Sequence, residues 1–258
     1  MITFAVLFTN PSDMKKTIPF LMAVLLTVLL ASCQKEFEKT IAFGNAKGMR
    51  VESYDTHIDL GKTLTLDVDA DGTDDLKFVS YYDGSLGGTE YQMLHLDCLS
   101  ENVALLGEMT GVEWYTHYDT AFLVASNGHI TVLYSTLSNF CEKFSENDVV
   151  HTSNKFVLSE SNPNDVFSID DYFQSNTHYL FIENKNVGPV DNVLESNDTT
   201  YVWDSRVIRD CDNFPTNTEK YIGFKITKDG TSRLGWLKLN LIGDETVNLH
   251  LIETAIQK

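Results

Sequence analysis

From about residue 48 onward, apolar and polar positions alternate in short runs separated by polar turns. Leu64, Leu66 and Val68 fall on one parity and Thr65, Asp67 and Asp69 on the other, the period-two pattern of a half-buried strand. The same reading predicts strands over 62–68, 76–82, 91–97, 120–126, 129–135, 155–158, 178–183, 200–206, 220–227, 233–241 and 246–254. Asn127-Gly128 and Asp229-Gly230 each separate two such runs. These dipeptides suit a type I′ hairpin, whose two central residues both need positive φ. No long 3.6-residue period occurs, although Ser168-Ile-Asp-Asp171 before Tyr172-Phe173 predicts one short capped helix.

This pattern points to an all-β protein, an antiparallel β-sandwich of jelly-roll kind. No Pro- or Gly-rich linker interrupts it, so a single domain is expected. No repeat of propeller length is present.

The N-terminal segment changes the picture. Met14 is followed by Lys15 and Lys16, an apolar run over 18–30 and small residues leading to Cys33, the layout of a secretory signal. The run is short for a membrane span. Leu30-Ala31-Ser32-Cys33 resembles the bacterial lipobox, in which the cysteine is lipidated and becomes the first mature residue. Residues 1–13 fit no part of such a signal, so Met14 is expected to be the start. The sequence therefore divides into a signal peptide (1–32), a lipidated cysteine and tether (33–47) and a β-sandwich domain (48–258). Gln34-Lys35-Glu36-Phe37-Glu38 is similar to the charged tethers of surface-exposed lipoproteins of Bacteroidota. The resemblance implies an outer-membrane lipoprotein that meets the membrane through its lipid and faces the cell surface, with the periplasmic face as the alternative.

Charge and cysteine usage agree with export. Removing residues 1–32 takes away two lysines and one aspartate, and the net charge moves from −18 to −19. Such a chain repels nucleic acid and anionic headgroups and carries no basic stripe for either. Beyond Cys33 it has Cys98, Cys141 and Cys211, without a C-x-x-C pair. One disulfide and one leftover thiol are expected, and a structural zinc site is not.

The candidate chemistry lies in LDVDADGTDD, at 66–75. Counting Asp67 as position one puts Asp69 at three, Asp71 at five, Gly72 at six, Thr73 at seven and Asp75 at nine. Four carboxylates and the Thr73 carbonyl supply enough oxygens to wrap a calcium ion, with Gly72 at the sharp turn. A helical calcium hand has Glu at position twelve, where this chain has Phe78, so a sensor is not expected. Alternation along the preceding strand predicts that the carboxylates leave the sheet away from the core. Asp-x-Asp-x-Asp-Gly-x-x-Asp resembles the calcium loops of extracellular β proteins, which implies a structural calcium held by Asp67, Asp69, Asp71, Thr73 and Asp75.

No Gly-x-Ser-x-Gly, His-Glu-x-x-His or Walker loop occurs, and no catalytic residue is assigned. His95 and Asp97 share a strand face, a pair expected to be structural. The densest aromatic patch is Glu113-Trp114-Tyr115-Thr116-His117-Tyr118-Asp119. It is expected to be core; if exposed, Trp114, Tyr115 and Tyr118 could stack on sugar rings. Tyr201 and Trp203 carry the same two readings. Asp119-Thr120-Ala121 and Asp198-Thr199-Thr200 look like the O-glycosylation motif used in Bacteroidota. Tyr221-Ile-Gly-Phe224 followed by Gly235-Trp236 resembles the closing segment of uncharacterised secreted bacterial β-sandwich proteins, a likeness that implies architecture alone. The function expected is a calcium-stabilised, lipid-anchored envelope protein with a binding or structural role, a glycan or another protein being its ligand. A carbohydrate-binding or carbohydrate-active surface protein, of glycoside-hydrolase kind, is the alternative.

Overall fold

The computed structural model describes residues 37–84, 89–124, 130–186, 192–196, 199–207, 211, 213–243 and 246–258, with side chains described except at 89, 119–140 and 184–207. The leader, Cys33, Asn127-Gly128 and Asn197-Asp198 lie outside the described residues, as do the side chains of Asp119, Thr120, Tyr201 and Trp203. Residues 39–258 make one compact unit. Its strands are β1 (Thr40–Ala42), β2 (Met49–Ile58), β3 (Thr63–Leu66), β4 (Leu76–Gly84), β5 (Thr89–Cys98), β6 (Val103–Val124), β7 (Ile130–Phe140) and β8 (Val149–Leu158). Then follow β9 (Val166–Ser168), β10 (Phe173–Gln174), β11 (Thr177–Asn186), β12 (Asn192–Ser196), β13 (Thr199–Val207), β14 (Glu219–Lys228), β15 (Thr231–Ile242) and β16 (Asn248–Gln257).

The sheets make the expected sandwich. A small sheet has the order β11-β5-β4-β3, and a large one runs β12-β13-β7-β6-β14-β15-β16-β2, with β8 and β10 also pairing β6. The pairings are antiparallel except that of β13 with β7, which is parallel. Leu66, Leu76, Phe78, Leu94, Leu96 and Phe181 from the small sheet are buried in one apolar cluster with Leu105, Ile222, Phe224, Leu237, Leu239 and Leu249 from the large sheet. That shared burial is the non-directional attraction holding the layers together.

The large sheet is covered on its other face too. Tyr221, Leu234 and Trp236 lie on the opposite parity of β14 and β15 and pack with Ile41, Phe43 and Phe167. The covering ribbon is β1 paired with β9. This corrects the tether boundary, since Thr40–Ala42 is a strand and Phe43 is buried. Burial on both faces explains the unbroken apolar runs in β14 and β15. The hairpin joining them is the one the sequence predicts: Asp229 and Gly230 both have positive φ, 52° and 73°.

Two further corrections concern local structure. The 168–171 segment is a turn, not a helix. Ser168 N–H donates to Asp171 Oδ2 at 2.7 Å and Asp171 N–H to the Ser168 carbonyl at 3.1 Å, and the chain then enters β10. A helix start and an isolated turn use the same capping bonds, and β10 pairing with β6 decides between them here. The strand predicted over 120–126 is found over 120–124 as the end of a longer strand, β6, which begins at Val103; 125 and 126 lie outside the described residues. β6 pairs β14 and β10 near its start, β8 over Gly107 to Thr116, and β7 from Tyr115 onward.

Cys141 and Cys211 form a disulfide, with Cα atoms 5.2 Å apart. Cys98 is the free thiol among the described residues, packed against the core, and burial pushes its pKa up to about 11.

Close approach of strands in the large sheet gives a test. A Cβ added at Gly235 would lie 2.3 Å from Phe224 Cζ and 2.5 Å from the Ala255 carbonyl oxygen, which as backbone cannot step aside. Gly235→Ala is expected to lower unfolding free energy by about 1–3 kcal/mol, read as a shifted urea midpoint. An unchanged midpoint would refute the close approach.

Candidate functional site

The acidic loop sits between β3 and β4, the paired strands that bring Leu66 opposite Leu76. Its own backbone is tied by its first carboxylate. Asp67 accepts the Asp71 N–H at 3.1 Å on Oδ1 and the Gly72 N–H at 2.8 Å on Oδ2. Asp71 Oδ1 in turn accepts the Thr73 N–H at 2.9 Å. Gly72 takes φ 90°, as the sharp turn requires, while Ala70 at φ 56° occupies the same left-handed region with a side chain. That conformation costs a non-glycine residue about 1–2 kcal/mol, so the surrounding contacts must hold it.

Those contacts correct the expected outward direction for Asp69 and Asp75, while Asp71 is exposed as expected. β3 ends at Leu66, and alternation ends with it. Val68 and Asp69 are both buried, at 2% and 8% exposure. Asp75, at 3%, is buried as well; its Oδ2 accepts the Val68 N–H at 3.0 Å. Thr73 is exposed. Asp67, Asp69 and Asp71 are brought together, each with a carboxylate oxygen within 4.8 Å of the others, and this cluster could hold a metal ion.

Cations of the chain itself reach the same carboxylates. Lys228 Nζ lies 2.7 Å from Asp69 Oδ2 and also bonds Asp71 Oδ2, and Arg233 Nη2 bonds Asp69 Oδ2. Arg50 donates from Nη1 to the Asp69 carbonyl at 2.8 Å and from Nη2 to the Val68 carbonyl. Lys228 closes β14 just before the Asp229-Gly230 turn, so one hairpin caps the other loop. Sequence reasoning missed these groups, because Lys228 is 159 positions from Asp69.

The electrostatics follow from these partners. The hydrogen bond from Lys228 holds the Asp71 carboxyl below its usual value of 3.8. Burial opposes the charge on Lys228, but its bonds to Asp69 and Asp71 outweigh that and hold it above its usual 10.5. Burial, with the charge of Asp69 added, raises Asp75. One atom is left over: Asp69 Oδ1 is buried and has no hydrogen-bond partner among the described residues. An unpartnered buried carboxylate oxygen is costly and suits a cation.

The aromatic patch is not core. Trp114 and Tyr115 are half-buried and Tyr118 is 61% exposed on β6. Trp114 stacks on His151 of β8, with ring centroids 5.5 Å apart. The His95–Asp97 pair is formed at 3.4 Å, with little exposure. Another pair, which the sequence did not signal, is closer: His117 Nδ1 lies 2.7 Å from Asp148 Oδ1. Burial raises the Asp148 carboxyl, but His117 and the Ser145 and Phe144 N–H groups outweigh it and hold it low. Among the described side chains no serine, threonine or cysteine bonds the His117 ring. A cavity of about 260 Å³ lies nearer β8 and β11, lined by Phe156, His178, Tyr179, Asn213 and Phe214. Compared with protein-family models, curated proteins and solved structures, the chain matches none.

The ion pairs set a pH window. Asp71 is lowered, so its contribution is present above 3.8 and lost as pH falls through its folded value; Lys228 is raised, so its contribution is full below 10.5 and lost as pH rises through its folded value. Lys228→Met is expected to cost about 1–3 kcal/mol at neutral pH. The melting-temperature gap between wild type and variant should shrink outside that window. A pH-independent gap would mean that Lys228 acts through packing.

Proposed function

We propose that the protein is a lipid-anchored envelope protein whose β-sandwich is stabilised by calcium and serves a binding or structural role. The observation that carries the calcium assignment is Asp69 Oδ1, a buried oxygen without a partner among the described residues, beside the carboxylates of Asp67 and Asp71. Carboxylate oxygens have more than one lone pair, so Asp67 and Asp71 can ligate while keeping their backbone bonds. Oxygen donors alone favour a hard cation, and an irregular all-protein carboxylate set suits the adaptable coordination of calcium better than the strict octahedron of magnesium. Asp75 is not among the carboxylates gathered within 4.8 Å of one another, and its Oδ2 holds the Val68 N–H, which makes Asp67, Asp69 and Asp71 the primary ligands, with Thr73 at the rim. Anchoring rests on Cys33 at the end of the signal-like segment, and the Cys141–Cys211 disulfide suits an exported protein.

A second reading has its own observation. The half-exposed Trp114 and exposed Tyr118 offer ring faces for a sugar, which favours a glycan as the ligand. In that case Trp114→Ala would abolish binding to a soluble polysaccharide that the wild type retains on an affinity gel.

Chelation is expected to lower the melting temperature and added calcium to restore it. Asp71→Ala should remove the calcium response while the protein still expresses. No change with chelator or calcium would sink the site. Labelling with radioactive palmitate should be lost in Cys33→Ala, and labelling that survives would overturn the anchor.

A further inference from the structure

A different set of side chains gathers on the outer face of β2 and β16. Asp55, His57 and His250 each place a ligand atom within 4.8 Å of the others. His57 and His250 are directly opposed in the strand register. Their rings lie cofacial, with centroids 4.2 Å apart and planes 7° from parallel. His250 Nε2 is 2.8 Å from Asp55 Oδ1. Among the described residues no lysine or arginine pairs with Asp55, in contrast to Asp69.

The backbone is specialised at this point. Between Lys238 and Leu239 of β15 there is no extra residue, but the partners Glu253 and Leu251 on β16 are separated by Ile252. Those two face Ser53 and Thr56 on β2, with Tyr54 and Asp55 between them. Each strand outward therefore adds one residue, and the sheet fans at its edge. Asp55 absorbs the irregularity at φ 45°, in the left-handed region. Bulges of this kind re-aim side chains, and here the carboxylate joins two imidazoles.

We propose that Asp55, His57 and His250 form a binding site for a first-row transition-metal dication of the zinc class. Two imidazole nitrogens and one carboxylate are the donor set such ions favour, unlike calcium, which takes oxygen. A directly opposed cross-strand pair holds its Cβ atoms about 4.5–5.5 Å apart, so both rings can turn a nitrogen to one ion. The Asp55 side chain is 89% exposed, so the ion has an open path and water completes its shell. Bound metal would cross-link the edge strand β2 to β16 beside the bulge.

The test is zinc titration of the full chain by calorimetry in saturating calcium, which on the calcium reading proposed above occupies the acidic loop and keeps the two sites separate. The wild type is expected to bind zinc with micromolar affinity. One equivalent should disappear in His57→Ala and in His250→Gln, and Asp55→Asn should weaken that step by about tenfold. Asp71→Ala should keep it. Cobalt(II) should give visible d–d absorption in the wild type that His250→Gln removes. Unchanged zinc stoichiometry in both histidine variants, or cobalt spectra that survive them, would overturn the site.

Discussion

The buried carboxylate of Asp69 fixes how the two layers of the sandwich meet. Apolar contact between the sheets is strong but has little directional content. A carboxylate removed from water has more, because it must keep its partners. Asp69 follows the small sheet's β3, while Lys228 and Arg233 come from β14 and β15 of the large sheet and Arg50 from β2. The loop is thus held from three strands of the opposite layer. Its left-handed Ala70 and its inward Asp75 become consequences of that grip, not independent choices of the turn.

This grip also recasts the meaning of the acidic motif. Repulsion among neighbouring carboxylates, taken from the sequence, argues for a metal ion. In the fold, part of that repulsion is already relieved by ammonium and guanidinium groups, which use Asp69 Oδ2 and Asp71 Oδ2. The proposed calcium would complete a partly neutralised cluster rather than rescue a bare one. Its contribution should accordingly be one of stiffening more than of permitting the fold.

Strand alternation made the sandwich legible, and Asp229-Gly230 located its central hairpin, because those signals are local. What escaped was set by distant partners. Met49–Ile58 forms an edge strand whose outward residues, among them Glu52, Ser53 and Asp55, hide the period. β6 changes neighbours along its length, so its first half shows no single alternation. The 168–171 segment carried a helix-start signal that the pairing of β10 overrode. At the site, Asp67 and Gly72 were readable from spacing, whereas the inward turn of Asp69 depends on residues some 160 positions away. His57 and His250 are farther apart still, and only register brings them together.

Cys98 carries a last consequence. Beyond Cys33 the chain has three cysteines and one disulfide, and a leftover thiol brings the hazard of exchange, in which a thiolate attacks the existing bridge and scrambles it. Attack requires an ionised sulfur, and a thiol whose pKa stands at about 11 is almost wholly protonated at neutral pH. Packing Cys98 against the leucines of the inner layer therefore protects the pairing fidelity of Cys141 and Cys211. The hydrophobic core acts here as a chemical guard, keeping a covalent choice from being revised once folding is complete.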